Sequence, residues 1–128
     1  MKKMFKAVLT TDHHTIHPNT PTRHILNNLD TFYYKETNMA EIDLNVLNGD
    51  LFHDLAPAND PNMMLCHRWI KKHLQICHDN KVHVSVLEGT SSHDWGQPEC
   101  FDILKPKDSP YIKYINTLSI EYIPELKI

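Results

Sequence analysis

Between residues 5 and 87 this 128-residue sequence reads strand, helix, strand, helix, strand, which predicts an α/β fold on a parallel sheet. Three observations carry that expectation. Residues 5–10, 42–47 and 82–87 are apolar runs of strand length. The segments between them repeat apolar residues at helical spacing. Strands joined through helices pair in parallel by right-handed crossovers, because a right-twisted strand and a right-handed helix pack back on the sheet only that way.

Phe5 to Thr10 reads as a buried strand that breaks into the polar Thr11-Asp12-His13-His14-Thr15. Thr20-Pro21 predicts a helix start, with a capping hydroxyl followed by Pro where its missing N–H is harmless. Ile25, Leu26, Leu29, Phe32 and Tyr33 extend that helix over 21–36. Ile42 to Leu47 is the second strand and ends at Asn48-Gly49-Asp50. Asp60-Pro61 opens a second helix with an apolar face of Met63, Cys66, Trp69, Ile70, Leu74 and Cys77, closing near Asp79-Asn80. Val82 to Leu87 is the third strand and ends at Glu88-Gly89. Gln97-Pro98 starts a short helix reaching Leu104, 105–110 is a loop, and Tyr111 to Ile123 supplies one or two strands. The chain is expected to form one domain, 1–128, well patterned over 5–95 and weakly patterned over 96–128.

A formal net charge of −3 argues against a large basic surface for nucleic acid on this chain itself. No apolar run approaches the roughly 20 residues of a membrane span, and the apolar stretch after the basic Met1–Lys6 is too short for a signal peptide. Cys66, Cys77 and Cys100 form no CxxC pair, which points to a reduced, cytoplasmic setting. The ten histidines are unevenly placed: none lies in residues 94–128.

In a parallel α/β sheet, ligands bind beyond the carboxyl ends of the strands. Those ends here carry Asp12-His13-His14, Gly49-Asp50 and Ser92-His93-Asp94, so all three are expected on one rim. Carboxylates and imidazoles together suit Mn²⁺, Fe²⁺ or Zn²⁺, and two such ions about 3.5–4 Å apart can clamp a phosphoryl group. Gly49 allows a tight turn that sets Asp50 at the strand tip as a shared ligand. His13 is expected to point away from its neighbours, since successive residues leave a strand in opposite directions. His17 reads as a loop residue, His67 and His73 as solvated or boundary residues, His83 as packed, and Trp95 as packed beneath the third segment, with contact to a nucleotide base as the alternative. Cys66 and Cys77 read as small hydrophobes.

The order Asp12-His13-His14, then Gly49-Asp50-Leu51-Phe52-His53-Asp54, then Gly89-Thr90-Ser91-Ser92-His93-Asp94 resembles the calcineurin-like metallophosphoesterases. The third block looks more like phage-encoded forms of the SbcD-like DNA repair nuclease. The resemblance spans residues 5 to about 95. It implies that Asp12 and His14 bind a first metal, that Asp50 bridges two, and that His93 faces the scissile phosphate as general acid or charge stabiliser, oriented by Asp94 or a backbone carbonyl. The family's Asn ligand to the second metal falls at Ser92, a poorer donor. His53 and Asp54 would brace the site, and Gly49 and Gly89 would shape it. Two divalent metals are implied, Mn²⁺ first, with Mg²⁺, Fe²⁺ or Zn²⁺ as alternatives.

By the same resemblance the partners are DNA, an SbcC-like ATPase subunit and a second polypeptide, or a C-terminal half, that completes the domain. The setting would be DNA repair or recombination in the cytoplasm, of the host if the chain is phage-encoded. Family members bring two later histidine motifs to the metals, and this chain has no histidine after His93, so the resemblance implies a partial domain over 1–128, the N-terminal half of a metallophosphoesterase sandwich. Two alternatives therefore stand beside the nuclease reading: a non-catalytic remnant or assembly protein on an incomplete fold, and a phosphoesterase acting on nucleotides or phosphoproteins.

Overall fold

The structure is a computed structural model that describes residues 4–128; the basic Met1–Lys3 lie outside the described residues. Four parallel strands form one sheet in the order β1 (Ala7–Thr10), β2 (Leu44–Asn48), β3 (His83–Leu87) and β4 (Ile112–Ile115). The α/β class with interleaved helices is thus the one the sequence predicts. Sequential strand order with right-handed crossovers puts every connection on one face of the sheet. The register assigns that face to Val8, Asn45, Val84 and Ile112 in one row and Thr10, Leu47, Val86 and Tyr114 in the next.

Two long helices cover most of this face, and the short helix Cys100–Leu104 adds Phe101 to the same core. The first, α1 (Thr22–Asp30), runs on through a π-helical turn, Thr31–Glu36. The expected Thr20 cap is not used: Pro21 occupies the N-cap with no side-chain bond, while the Thr22 hydroxyl accepts the Ile16 N–H at 3.0 Å. The second, α2 (Pro61–Asp79), starts where the sequence places it, because Asp60 Oδ1 accepts the N–H groups of Asn62 (2.8 Å) and Met63 (3.2 Å). Its apolar stripe is buried in one cluster with Leu47, Val84 and Val86. Full burial of each such side chain contributes about 1.5–3 kcal/mol.

Several local expectations fail for tertiary reasons. β1 is an edge strand rather than a buried one, with Phe5 45% and Leu9 63% exposed. Of the one or two strands expected past Tyr111, only β4 forms among the described residues; 116–123 are irregular, 124–127 form a turn, and Leu118 and Ile120 are fully exposed. The face opposite the helices carries Ala7, Leu9, Leu44, Val46, Leu87 and Ile115, none of them fully buried.

His73 is the clearest correction. It is completely buried in the α2 stripe, not at a boundary, and it stacks on Trp69 with the rings 4.8 Å apart. Burial pushes its imidazole down to about 3. An unfolded chain takes up that proton below about pH 6.5 whereas the native state refuses it until about pH 3. Stability contributed at this position is therefore complete above pH 6.5 and falls as pH drops through that window. Between pH 7 and pH 5, the unfolding free energy from urea denaturation should fall by about 1–2 kcal/mol more in the wild type than in His73→Gln. Parallel pH dependences would show that the imidazole is not shielded.

Candidate metal centre

Beyond the last residues of β1 and β2 the two chains continue side by side. Asp12 N–H donates to Gly49 O, His14 N–H to Asp50 O and Thr15 N–H to Leu51 O, each at 3.1 Å, and His53 N–H returns to Thr15 O at 2.7 Å. Along this extension Asp12 (φ 55°), His14 (φ 49°), Gly49 (φ 83°) and Asp50 (φ 50°) adopt left-handed conformations. Such residues cost of order 1–3 kcal/mol each outside glycine and concentrate at functional sites. Three of these four are the carboxylates and imidazole expected as ligands.

The left-handed turns bring donors together. Ligand atoms of Asp12, His14 and Asp50 all lie within 4.8 Å of one another, as do those of His14, His53 and His93. His14 belongs to both groups: its Nε2 is 3.4 Å from Asp12 Oδ1 and its Nδ1 is 3.1 Å from His53 Nδ1. His93 Nδ1 donates to His53 O at 3.1 Å, which leaves Nε2 as the free nitrogen. A ring nitrogen tied to a backbone carbonyl is the usual way a working imidazole has its tautomer set. The His17 ring lies 4.3 Å from that of His53, tilted by 47°, but its Nδ1 accepts the N–H groups of Asn19 and Thr20, so it is the loop residue expected.

Electrostatics favour the ligand-competent forms. A hydrogen bond from Thr90 N–H to Asp50 Oδ1 (2.6 Å) is the main cause holding the Asp50 carboxyl below its usual range. Desolvation, then the neighbouring His17, lowers the His53 imidazole. Asp50 therefore stays a carboxylate and His53 a neutral imidazole at neutral pH.

Asp94 holds the rim together. This carboxylate is fully buried; Oδ2 accepts Gly89 N–H (2.6 Å) and Asp50 N–H (3.0 Å), and Oδ1 accepts Phe52 N–H (3.0 Å). It touches the backbone of the second and third strand ends and makes no bond to His93 in this arrangement, whose partner is the His53 carbonyl. Ser92 is exposed on the short helix α3 (Ser91–Asp94). Gln97 braces the His53 loop from outside, its Oε1 taking Ala56 N–H and its Nε2 donating to Asp54 O, both at 3.0 Å. Trp95 does not pack beneath this segment: it is 55% exposed, turned outward by its own left-handed backbone (φ 54°).

Sequence reasoning missed the role of Thr90 and the bracing by Gln97. Both are partners forty or more positions away from what they bind, and no local pattern signals them. The three cysteines stay apart from the rim chemistry, with burial pushing the Cys66 thiol up to about 11 and those of Cys77 and Cys100 up to about 12.

A four-stranded parallel sheet with interleaved helices, carrying carboxylates and imidazoles at its strand ends, is an α/β fold that a solved nuclease shares. The chain is similar in structure to nuclease MPE of Pseudomonas putida, with a TM-score of 0.52 and 20% identity, over 90% of this chain and 50% of that one. It spans half the length of that nuclease. No protein-family model matches the chain, and no curated protein matches it.

Proposed function

We propose that this chain supplies the metal-holding rim of a nuclease subunit that hydrolyses DNA phosphodiester bonds. The observation that carries the reading is the convergence of Asp12, His14 and Asp50, each in a left-handed turn at a strand end, with ligand atoms within 4.8 Å of one another. The donor set fits a divalent cation of the Mn²⁺ class, two carboxylates and an imidazole at hand. The same donors accept Mg²⁺, Fe²⁺ or Zn²⁺. Such a metal, when bound, supplies a Lewis acid for the phosphoryl oxygens and an activated water.

The chain's own residues do the rest. Asp12, His14 and Asp50 provide the ligands, with Asp50 central to both strand ends. His93, its Nδ1–H fixed on the His53 carbonyl, offers Nε2 to hold a proton for the departing oxygen or to bond a phosphoryl oxygen. Asp94 keeps the Asp50 and Phe52 backbones in register with Gly89, so the ligands need not reorganise. His53 adds a neutral donor beside His14 and His93. Ser92 adds an exposed hydroxyl at the position of a second metal's ligand.

With a net charge of −3, this chain draws its affinity for DNA from other surfaces. The partners that fit are an SbcC-like ATPase and a further polypeptide segment, in this chain's continuation or in another chain, that covers the open sheet face and completes the ligand shell. The half of nuclease MPE left unmatched supports that reading. Among the described residues no helix is long and apolar enough to cross a membrane.

Titration calorimetry with Mn²⁺ tests the rim directly. The wild type should bind at least one ion, and Asp50→Ala should weaken that binding at least about a hundredfold, since it removes a direct ligand where even an outer partner is worth 10–100-fold. Equal affinity in the two would remove Asp50 from the site. Cleavage of duplex DNA in Mn²⁺, set beside a small phosphomonoester, then separates a nuclease from a phosphomonoesterase.

A further inference from the structure

A line of buried polar side chains crosses the core behind the rim, and none of it takes part in the chemistry above. Tyr34 OH meets His73 Nδ1 at 2.7 Å, His73 Nε2 meets Asn45 Oδ1 at 2.8 Å, and Asn45 Nδ2 meets Tyr33 OH at 3.0 Å. Tyr33 OH continues to Thr10 Oγ1 at 2.8 Å, and Thr10 Oγ1 to His13 Nε2 at 2.8 Å. Tyr33, Asn45 and His73 are completely buried. Burying this many polar atoms beside Leu47 and Val86 is costly unless each is satisfied, and among the described residues no buried side-chain polar atom lacks a partner.

One backbone carbonyl sets the direction of the bonds from Tyr34 as far as Thr10. Asn45 Nδ2 donates to Val8 O at 3.2 Å. That orients the amide, so Oδ1 faces His73 and must accept from His73 Nε2–H. His73 Nδ1 is then an acceptor and takes the Tyr34 proton. On the other side the second Asn45 N–H goes to Tyr33 oxygen, so the Tyr33 proton points to Thr10. Thr10 keeps one lone pair and its own proton for His13 Nε2, and the His13 tautomer sets which of the two donates in that last bond. From Tyr34 to Thr10 the chain of bonds runs one way, head to tail. Carrying a proton along it would require the Asn45 amide to pass through its imidic acid form, so conduction is disfavoured and a holding role remains.

What it holds is the hinge between two candidate ligands. His13 sits between Asp12 and His14, both in left-handed turns, and its ring lines a small core cavity with Leu26, Leu29 and Trp69 instead of facing the rim. We propose that this relay, acting through Thr10 and His13, is a positioning device that clamps the strained turn at Asp12 and His14 in the ligand-presenting conformation. The consequence for metal affinity rests on the reading of the rim as a metal site; the clamp itself does not.

Amide hydrogen exchange on the full chain decides it without any metal. Thr10→Val keeps the strand's β-branched shape and removes the hydroxyl that His13 needs; Thr10→Ser restores it. In Thr10→Val, Asp12 N–H and His14 N–H, which bond to Gly49 O and Asp50 O, should lose at least tenfold protection. Val84 N–H, bonded to Tyr111 O, should exchange as in the wild type, and Thr10→Ser should recover protection at both hinge amides. Unchanged protection at Asp12 and His14, or an equal loss at Val84, overturns the clamp. Mn²⁺ affinity measured on the same variants should drop about tenfold in Thr10→Val, the size of an outer-partner effect. A wild type that binds no Mn²⁺ overturns the metal reading and leaves exchange to judge the clamp.

Discussion

Replacing Asp94 by Ala should lower the stability of this chain by about 3–5 kcal/mol, the largest loss expected from any single side chain at the rim. Three backbone donors, Gly89 N–H, Asp50 N–H and Phe52 N–H, end on this one buried carboxylate. Truncation leaves all three without an acceptor where water has little access. Asp94→Asn should be milder, about 1–3 kcal/mol, because the amide oxygen can still take the two donors now shared by Oδ2 while its NH₂ abuts Phe52 N–H. Chemical denaturation of both variants checks the order. An Ala variant within 1 kcal/mol of the wild type would mean that the three N–H groups find other partners, and that the rim does not depend on this knot.

Gly89→Ala should disable the rim by a different route. A Cβ at Gly89 would be driven into the Asp50 backbone N and its Oδ1, and would stand 2.8 Å from Asp94 Oδ2. Neither neighbour can yield without breaking the knot, so a loss of about 3 kcal/mol is expected, at the upper end of overpacking effects. Mn²⁺ binding should weaken at least as much as in Asp50→Ala. Gly96→Ala is the matching control: it has positive φ (73°) but open space around the added methyl, so only the backbone cost of about 1–2 kcal/mol applies. If the two alanine variants behave alike, close packing at Gly89 is not what shapes the site.

The strand ends were legible because their signals are local. Gly49-Asp50 announces a turn after an apolar run, Asp60-Pro61 announces a helix, and the parallel pairing that gathers Asp12, His14, Asp50 and His93 follows from helices lying between strands. Asp94 was legible as a partner of the site but not as what it binds. Its three donors lie at 50, 52 and 89, and only the approach of β2 to β3 brings the first two within reach of the third. His73 was misread for a related reason. At helical spacing its position continues the Met63–Cys66–Ile70–Cys77 stripe, but a polar side chain there is tolerable only because Asn45 and Tyr34 arrive from other elements to satisfy it.

By itself the sequence determined the order of the elements, the capped start of α2, and the chemistry carried at each strand end, since periodicity and turn residues act over a few positions. Only the tertiary structure decided that β1 is an open edge, that Trp95 faces outward, and that Asn45, His73 and Tyr33 form one buried relay toward His13. Those outcomes depend on pairs some ten to forty residues apart. Whether such a pair meets is set by how whole elements pack, and no local preference encodes it.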